Sequence, residues 1–178
     1  MSHSEQQSVI EVAFSLNGRP QKMAVAADES LLTTLRERCG LVSLKDGCRP
    51  QGQCGACLAL VNGHPRTTCT LPTHMADGAD VETLEFLPEE ERNRLALAFT
   101  KTGAVQCGAC IPGIALHAKS LLDRHPEPTH DEILKSLDMH LCRCGGYPAI
   151  IQAIEEYARM RKENRCSEPL REGGVGAP

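Results

Sequence analysis

The sequence predicts an α+β chain in two halves: a small mixed half first, then an all-α half of four helices. Three observations carry that prediction. Apolar residues alternate with a period of two near the start and recur at helical spacing after Pro88. Of the ten cysteines, four fall in each half as a close set. Large apolar side chains are scarce, with no Trp, two Tyr and three Phe among 178 residues. Two domains of roughly 80 residues each would then need a metal or disulfide staple besides their cores.

Residues 1–7 are polar and are expected to be loose. Ile10, Val12, Phe14 and Leu16 alternate with Glu11, Ala13 and Ser15, the pattern of a half-buried strand. Asn17-Gly18 supplies a two-residue hairpin turn, and Met23 and Val25 continue the return strand. Pro20 cannot donate to a ladder, so that strand should start late or lie at an edge. Asp28 and Ser30 offer an N-cap for a short helix through Leu31, Leu32 and Leu35, ended by Gly40. A long glycine-containing loop over 47–57 follows. Residues 58–61 read as a strand, Asn62-Gly63 as a second turn, 66–69 as its partner and 81–86 as a last strand. This succession makes a small α+β domain over 8–87.

Pro88 suits the first turn of a helix, and Glu89, Glu90 and Glu91 suit the positive end of its dipole. Leu95, Ala98 and Phe99 give helical spacing up to Gly103. A second helix is expected from about Pro112 to Arg124. Thr129 and Glu132 form a capping box for a third, carrying Ile133, Leu134 and Leu137. A fourth starts at Pro148 and buries Ile150, Ile151, Ile154, Tyr157 and Ala158. Short connections make an antiparallel four-helix bundle the expected packing over 88–163. The tail, 164–178, should be mobile or lie on a partner.

Net charge is −4, with no basic stripe interleaved with aromatics, which argues against nucleic acid as a partner. No run approaches the roughly 18 apolar residues of a membrane span, so a soluble protein is expected. The N-terminal MSHSEQQSVIEVAF lacks an apolar signal run. Adjacent Cys-x-Cys and Cys-x-x-Cys pairs suit a shared metal better than bridges between distant loops. A thiol-reducing compartment, the cytoplasm, is the expected location.

The first cysteine set is Cys48-x5-Cys54-x2-Cys57-x11-Cys69. Plant-type [2Fe–2S] ferredoxins use C-x4-C-x2-C…C, one residue shorter in the first gap. Gly47, Gly52 and Gly55 would let the loop aim backbone N–H groups at the sulfurs. A zinc knuckle is the competing reading; three cysteines within ten residues among glycines favour the cluster. The second set is Cys107-x2-Cys110-x31-Cys142-x1-Cys144. Cys-x-Cys is awkward around one tetrahedral ion and natural when two irons are gripped side by side. Both pairs precede helix starts, whose free N–H groups and dipoles favour an anionic cluster. No Cys-x-His pair suggests a Rieske site. His64, His74, His117, His125, His130 and His140 are expected to be surface or capping residues.

The motifs Gln106-Cys107-Gly108-Ala109-Cys110-Ile111-Pro112-Gly113 and Leu141-Cys142-Arg143-Cys144-Gly145-Gly146-Tyr147 are similar to those of the iron–sulfur subunit of the molybdenum hydroxylases. That family includes xanthine dehydrogenase, aldehyde oxidoreductase and carbon monoxide dehydrogenase, and the resemblance covers about residues 8–160. It implies a plant-type ferredoxin-like (β-grasp) domain followed by the helical domain. Matched by motif, Cys48, Cys54, Cys57 and Cys69 would hold a distal [2Fe–2S] cluster, and Cys107, Cys110, Cys142 and Cys144 a proximal one. Gln106 would contact a molybdopterin cofactor, and Cys144 would face the pterin. A large molybdopterin-binding subunit and an FAD-binding subunit or domain are the implied partners, with no substrate site in this chain. A molybdenum-free flavin dehydrogenase subunit, or a stand-alone iron–sulfur or zinc-stapled protein, are the other readings. The extra residue between Cys48 and Cys54 departs from the family pattern. Cys39 is expected to be a buried free thiol, and Cys166 to ligate nothing.

Overall fold

A computed structural model describes residues 8–167 of the chain, with side-chain surroundings as far as residue 164. The first strand, β1 (Val9–Leu16), turns at Asn17-Gly18 into β2 (Arg19–Ala26). Both turn residues have positive φ, 51° and 72°, the geometry that matches strand twist in a two-residue hairpin. Every residue of β1 is paired antiparallel with β2, and Pro20 stands opposite Ser15. Because β2 is an edge strand, the missing N–H of Pro20 is tolerated and the strand begins at Arg19 without delay. Ser30 Oγ accepts from the Thr33 N–H at 3.2 Å and starts α1 (Leu31–Thr33), which runs on as a π-helical turn over Thr34–Arg38.

Strands β3 (Leu58–Val61) and β4 (His64–Thr67) flank the Asn62-Gly63 turn. The sequence expectation put β4 over 66–69; the two-residue turn lets pairing begin at once, and Cys69 falls in a 3₁₀ turn, Thr68–Thr70. Strand β5 (Asp80–Glu82) is also shorter than its expected 81–86. The Thr83 N–H is taken by Asn17 Oδ1 at 2.9 Å, and the chain then coils through Leu84–Phe86. β5 lies parallel to β1 and antiparallel to β3, giving the sheet order β2-β1-β5-β3-β4.

Four longer helices follow: α2 (Glu89–Lys101), α3 (Ile111–Arg124), α4 (His130–Leu137) and α5 (Tyr147–Ser167). Pro88 precedes α2, whose first turn is acidic, and the Thr129/Glu132 capping box opens α4. α2 packs on α5, α4 on both α3 and α5, and α3 on β3. The tail expected from residue 164 is still helical to Ser167. Its remainder, the segment 1–7 and the Cys166 side chain lie outside the described residues. Among those described, no helix is long and apolar enough to cross a membrane.

Two apolar cores result. One gathers Val12, Phe14, Leu31, Leu35 and Val81 under the sheet. The other gathers Phe99, Ile114, Leu122, Ile133, Ile154 and Tyr157 between the helices. Strand β3 serves both, since its Leu58 and Leu60 belong to the helical core and Ala59 to the sheet core.

The seam between the halves is built from backbone. A Cβ on Gly113, in the first turn of α3, would collide with the Gly55 carbonyl oxygen, and one on Gly55 would collide with His140. The Leu141 N–H donates to the Cys54 carbonyl at 3.1 Å across the same seam. Behind it, His117 Nδ1 and His140 Nε2 share a hydrogen bond of 3.0 Å. These two imidazoles are 7% and 2% exposed, which corrects the expectation that they are surface or capping groups. His117 sits three residues after Ile114 and four before Leu121, on the apolar side of α3.

Gly113→Ala should lower stability by about 1–3 kcal/mol through forced separation of the two backbones, read as a drop of several degrees in melting temperature. Burial holds both imidazoles neutral, His117 down to about 4 and His140 down to about 3 against an ordinary 6.5. The unfolded chain therefore binds more protons than the folded one between about pH 6.5 and pH 4, so stability is lost as pH falls through that window. His117 alone accounts for a loss on the order of 3 kcal/mol. Melting temperature should fall from about pH 7 to about pH 5, and less steeply in His117→Asn.

Candidate metal centres

The first cysteine set lies on the loop from Gly47 to Cys57 and on the 3₁₀ turn after β4. Four hydrogen bonds shape it. The Lys45 N–H donates to the Ala56 carbonyl at 2.9 Å and closes the loop's base. Thr68 Oγ1 donates to the Cys57 carbonyl at 2.7 Å and ties Cys69 to the loop. Glu85 accepts from the Ser43 N–H and Oγ at 3.0 and 2.7 Å, fixing the approach to Cys48. The five-residue gap is accommodated by left-handed backbone at Arg49 and Gly52, φ 51° and 67°, with the Arg49 N–H held by Asp46 Oδ1 at 3.0 Å.

The sulfurs meet two by two, Cys48 with Cys54 and Cys57 with Cys69, and the two pairs also feel one another's charge. Cys54, Cys57 and Cys69 are buried, and Cys48 is half-buried. The N–H groups of Gln53, Gln51 and Cys54 are aimed at Cys48, that of Gln51 at 3.3 Å, and draw its thiol down to about 6. Burial, with Cys57 beside it, pushes Cys69 up to about 12. A Cβ on Gly47 would lie 2.9 Å from Cys54 Sγ, so a side-chain-free wall backs that sulfur. Cys39 closes the helical turn before Gly40 and packs against the sheet core. Burial raises its pKa.

The second set is brought together by the starts of α3 and α5. Cys107 meets Cys144, and Cys110 meets Cys142. Cys110 is buried and pushed up to about 12, by burial first and by Cys142 second. The Ala109 N–H, then Cys144, lower Cys107. Burial acts to raise Cys142, yet the N–H groups of Gly146, Cys144 and Gly145 bring it below the ordinary thiol value. Cys107 and Cys144 are exposed. Close to them in the chain, Val105 and Leu141 are 43% and 55% exposed, and the Gln106 amide nitrogen lies over Gly146. This end of the set is open to solvent.

Among the described residues, no three His, Cys, Asp or Glu side chains are arranged as ligands of one ion. The pairwise meeting of soft thiols, with peptide N–H groups directed at them, fits a [2Fe–2S] cluster, which takes two thiolates on each iron. Sequence reasoning missed three contributors: His117, His140 and the Tyr147 hydroxyl. That hydroxyl accepts from the Cys142 N–H at 2.9 Å and donates to the His140 carbonyl at 3.1 Å.

Comparison with known proteins finds an iron–sulfur domain family over each half. Residues 14–86 match the family described as a 2Fe-2S iron-sulfur cluster binding domain. Residues 83–155 match the one described as a [2Fe-2S] binding domain. The chain is 42% identical over 156 residues to the nicotinate dehydrogenase small FeS subunit of Eubacterium barkeri, covering 87% of this chain and 98% of that protein. A chain in the crystal structure of quinoline 2-oxidoreductase from Pseudomonas putida 86 superposes with a TM-score of 0.79 at 35% identity, covering 87% of this chain and 97% of that one. Aldehyde oxidoreductase from Desulfovibrio desulfuricans gives a TM-score of 0.80 at 30% identity, where the match spans 86% of this chain and 17% of that longer one.

Gly47→Ala should push Cys54 Sγ off its wall, and the purified variant should carry roughly half the iron of the unaltered protein. Iron analysis checks this; full iron content in that variant would mean the wall is not part of the site.

Proposed function

This chain belongs to the iron–sulfur small subunits of the molybdenum hydroxylases, and we propose that it is the electron-transfer subunit between a molybdopterin site on a large partner and a flavin on another subunit or domain. A bound [2Fe–2S] cluster takes up and gives back one electron at a time. Cys48, Cys54, Cys57 and Cys69 hold the distal cluster within a ferredoxin-like domain, 8–87. Cys107, Cys110, Cys142 and Cys144 hold the proximal one within 88–163, whose helices we read as an antiparallel four-helix bundle. The segment 164–178 is a tail.

The observation that carries this reading is the unequal exposure of the two sets together with the bond that joins them. Cys107 and Cys144 reach the surface, and Val105 and Leu141, near them in the chain, are exposed apolar groups of the kind that suit a partner's surface. Gln106 is exposed beside Cys107 and is assigned the molybdopterin contact, while Cys144 faces the pterin. From Cys142 a run of bonded atoms leads through Leu141 and its 3.1 Å hydrogen bond to Cys54. The two thiol sets are therefore linked by backbone, without a side chain between them. Thiols committed to iron would suit a cytoplasmic setting, where they are kept reduced. The chemistry on the substrate belongs to the partners, and the relatives' names span N-heterocycles such as nicotinate and quinoline as well as aldehydes.

The purified complex should contain roughly four iron and four sulfide per copy of this chain, with two distinguishable paramagnetic centres on reduction. In Cys110→Ser, substrate should reduce the flavin at least about 100-fold more slowly, since a relay with one station missing has no substitute path. Stopped-flow absorbance reads this directly, and flavin reduction at the unaltered rate would sink the relay.

A further inference from the structure

We propose that His117, His140 and Tyr147 are positioning residues that clamp the three-residue link 140–142 and thereby set the separation of the two cluster loops and the rate of electron passage between them. The inference rests on the relay reading above.

Three elements converge on this short link. From α3, His117 reaches the His140 ring at 3.0 Å. From the start of α5, the Tyr147 hydroxyl donates to the His140 carbonyl at 3.1 Å and accepts from the Cys142 N–H at 2.9 Å. Between those two residues, Leu141 donates to Cys54. The ring of His140 also rests against Gly55, the residue after Cys54, where no Cβ could fit. A change in any one hold shifts the residue before Cys142 against the residue after Cys54.

The composition of the clamp argues for direction over mere filling. Among the described residues, His140 Nδ1 is buried and has no hydrogen-bond partner, an arrangement that an apolar side chain of similar size would avoid. What the imidazole adds is a bond of fixed direction across to α3. Tyr147 likewise adds two directed bonds that phenylalanine would lack, although its ring would pack equally well.

The passage itself moves one electron from one centre to the other and makes or breaks no bond. The test uses the assembled complex with His117→Leu, His117→Asn and Tyr147→Phe. Asn places an amide where the His117 Nδ1 stood and should restore the hold on His140. Iron and sulfide are counted, the magnetic splitting between the two reduced centres is measured at low temperature, and the rate of flavin reduction by substrate is followed. The expected result is full iron in all three, with altered splitting and several-fold slower transfer in His117→Leu and Tyr147→Phe, and near-normal values in His117→Asn. Lower melting temperatures with unchanged splitting and rate would overturn the proposal, leaving the residues as packing alone. Loss of a centre in both His117→Leu and Tyr147→Phe would overturn it too, by making the residues necessary for assembly. An unaltered complex without two centres would instead remove the relay reading on which the proposal stands.

Discussion

The architecture depends on one close approach, the contact of Gly113 with the Gly55 carbonyl, where two backbones touch with nothing between them. Gly55 lies between the second and third thiols of the first set, and Gly113 lies three residues after the second thiol of the other. The contact therefore brings two metal loops together at the distance of bare polypeptide. Any side chain at either position would wedge them apart. The Leu141 bond and the buried imidazoles lie along the same seam.

Within each set, the chain supplies sulfurs of contrasting character. The N–H groups around Cys48 and Cys142 favour the thiolate, whereas burial holds Cys69 and Cys110 in the protonated form near neutral pH. A thiol must give up its proton to hold iron, and the N–H groups beside Cys48 and Cys142 favour that loss. Cys48 is half-buried and Cys107 exposed, so each set has a side open to solvent.

Much of this was legible in the sequence. The period-two run of β1 and the Asn-Gly turns read correctly because one face of each strand is buried and φ above zero is rare outside such residues. The cysteine sets were legible because spacing is a local property. The ends of β4 and β5 were not, since β5 stops where Asn17, 66 residues away in the chain, captures the Thr83 N–H. The two buried histidines were misread for a related reason. A histidine among apolar neighbours on α3 can face solvent or core, and only its partner from a distant loop decides. Gly113 was noticed as part of a motif, yet its need to be glycine comes from Gly55 on the other half.

Strand β3 carries a consequence of its own. Leu58 and Leu60 are buried in one core and Ala59 in the other, so a four-residue strand is a party wall shared by both rooms of the molecule. Taking away either half would strip one side of that wall to water. Each half is therefore stabilised by the presence of the other.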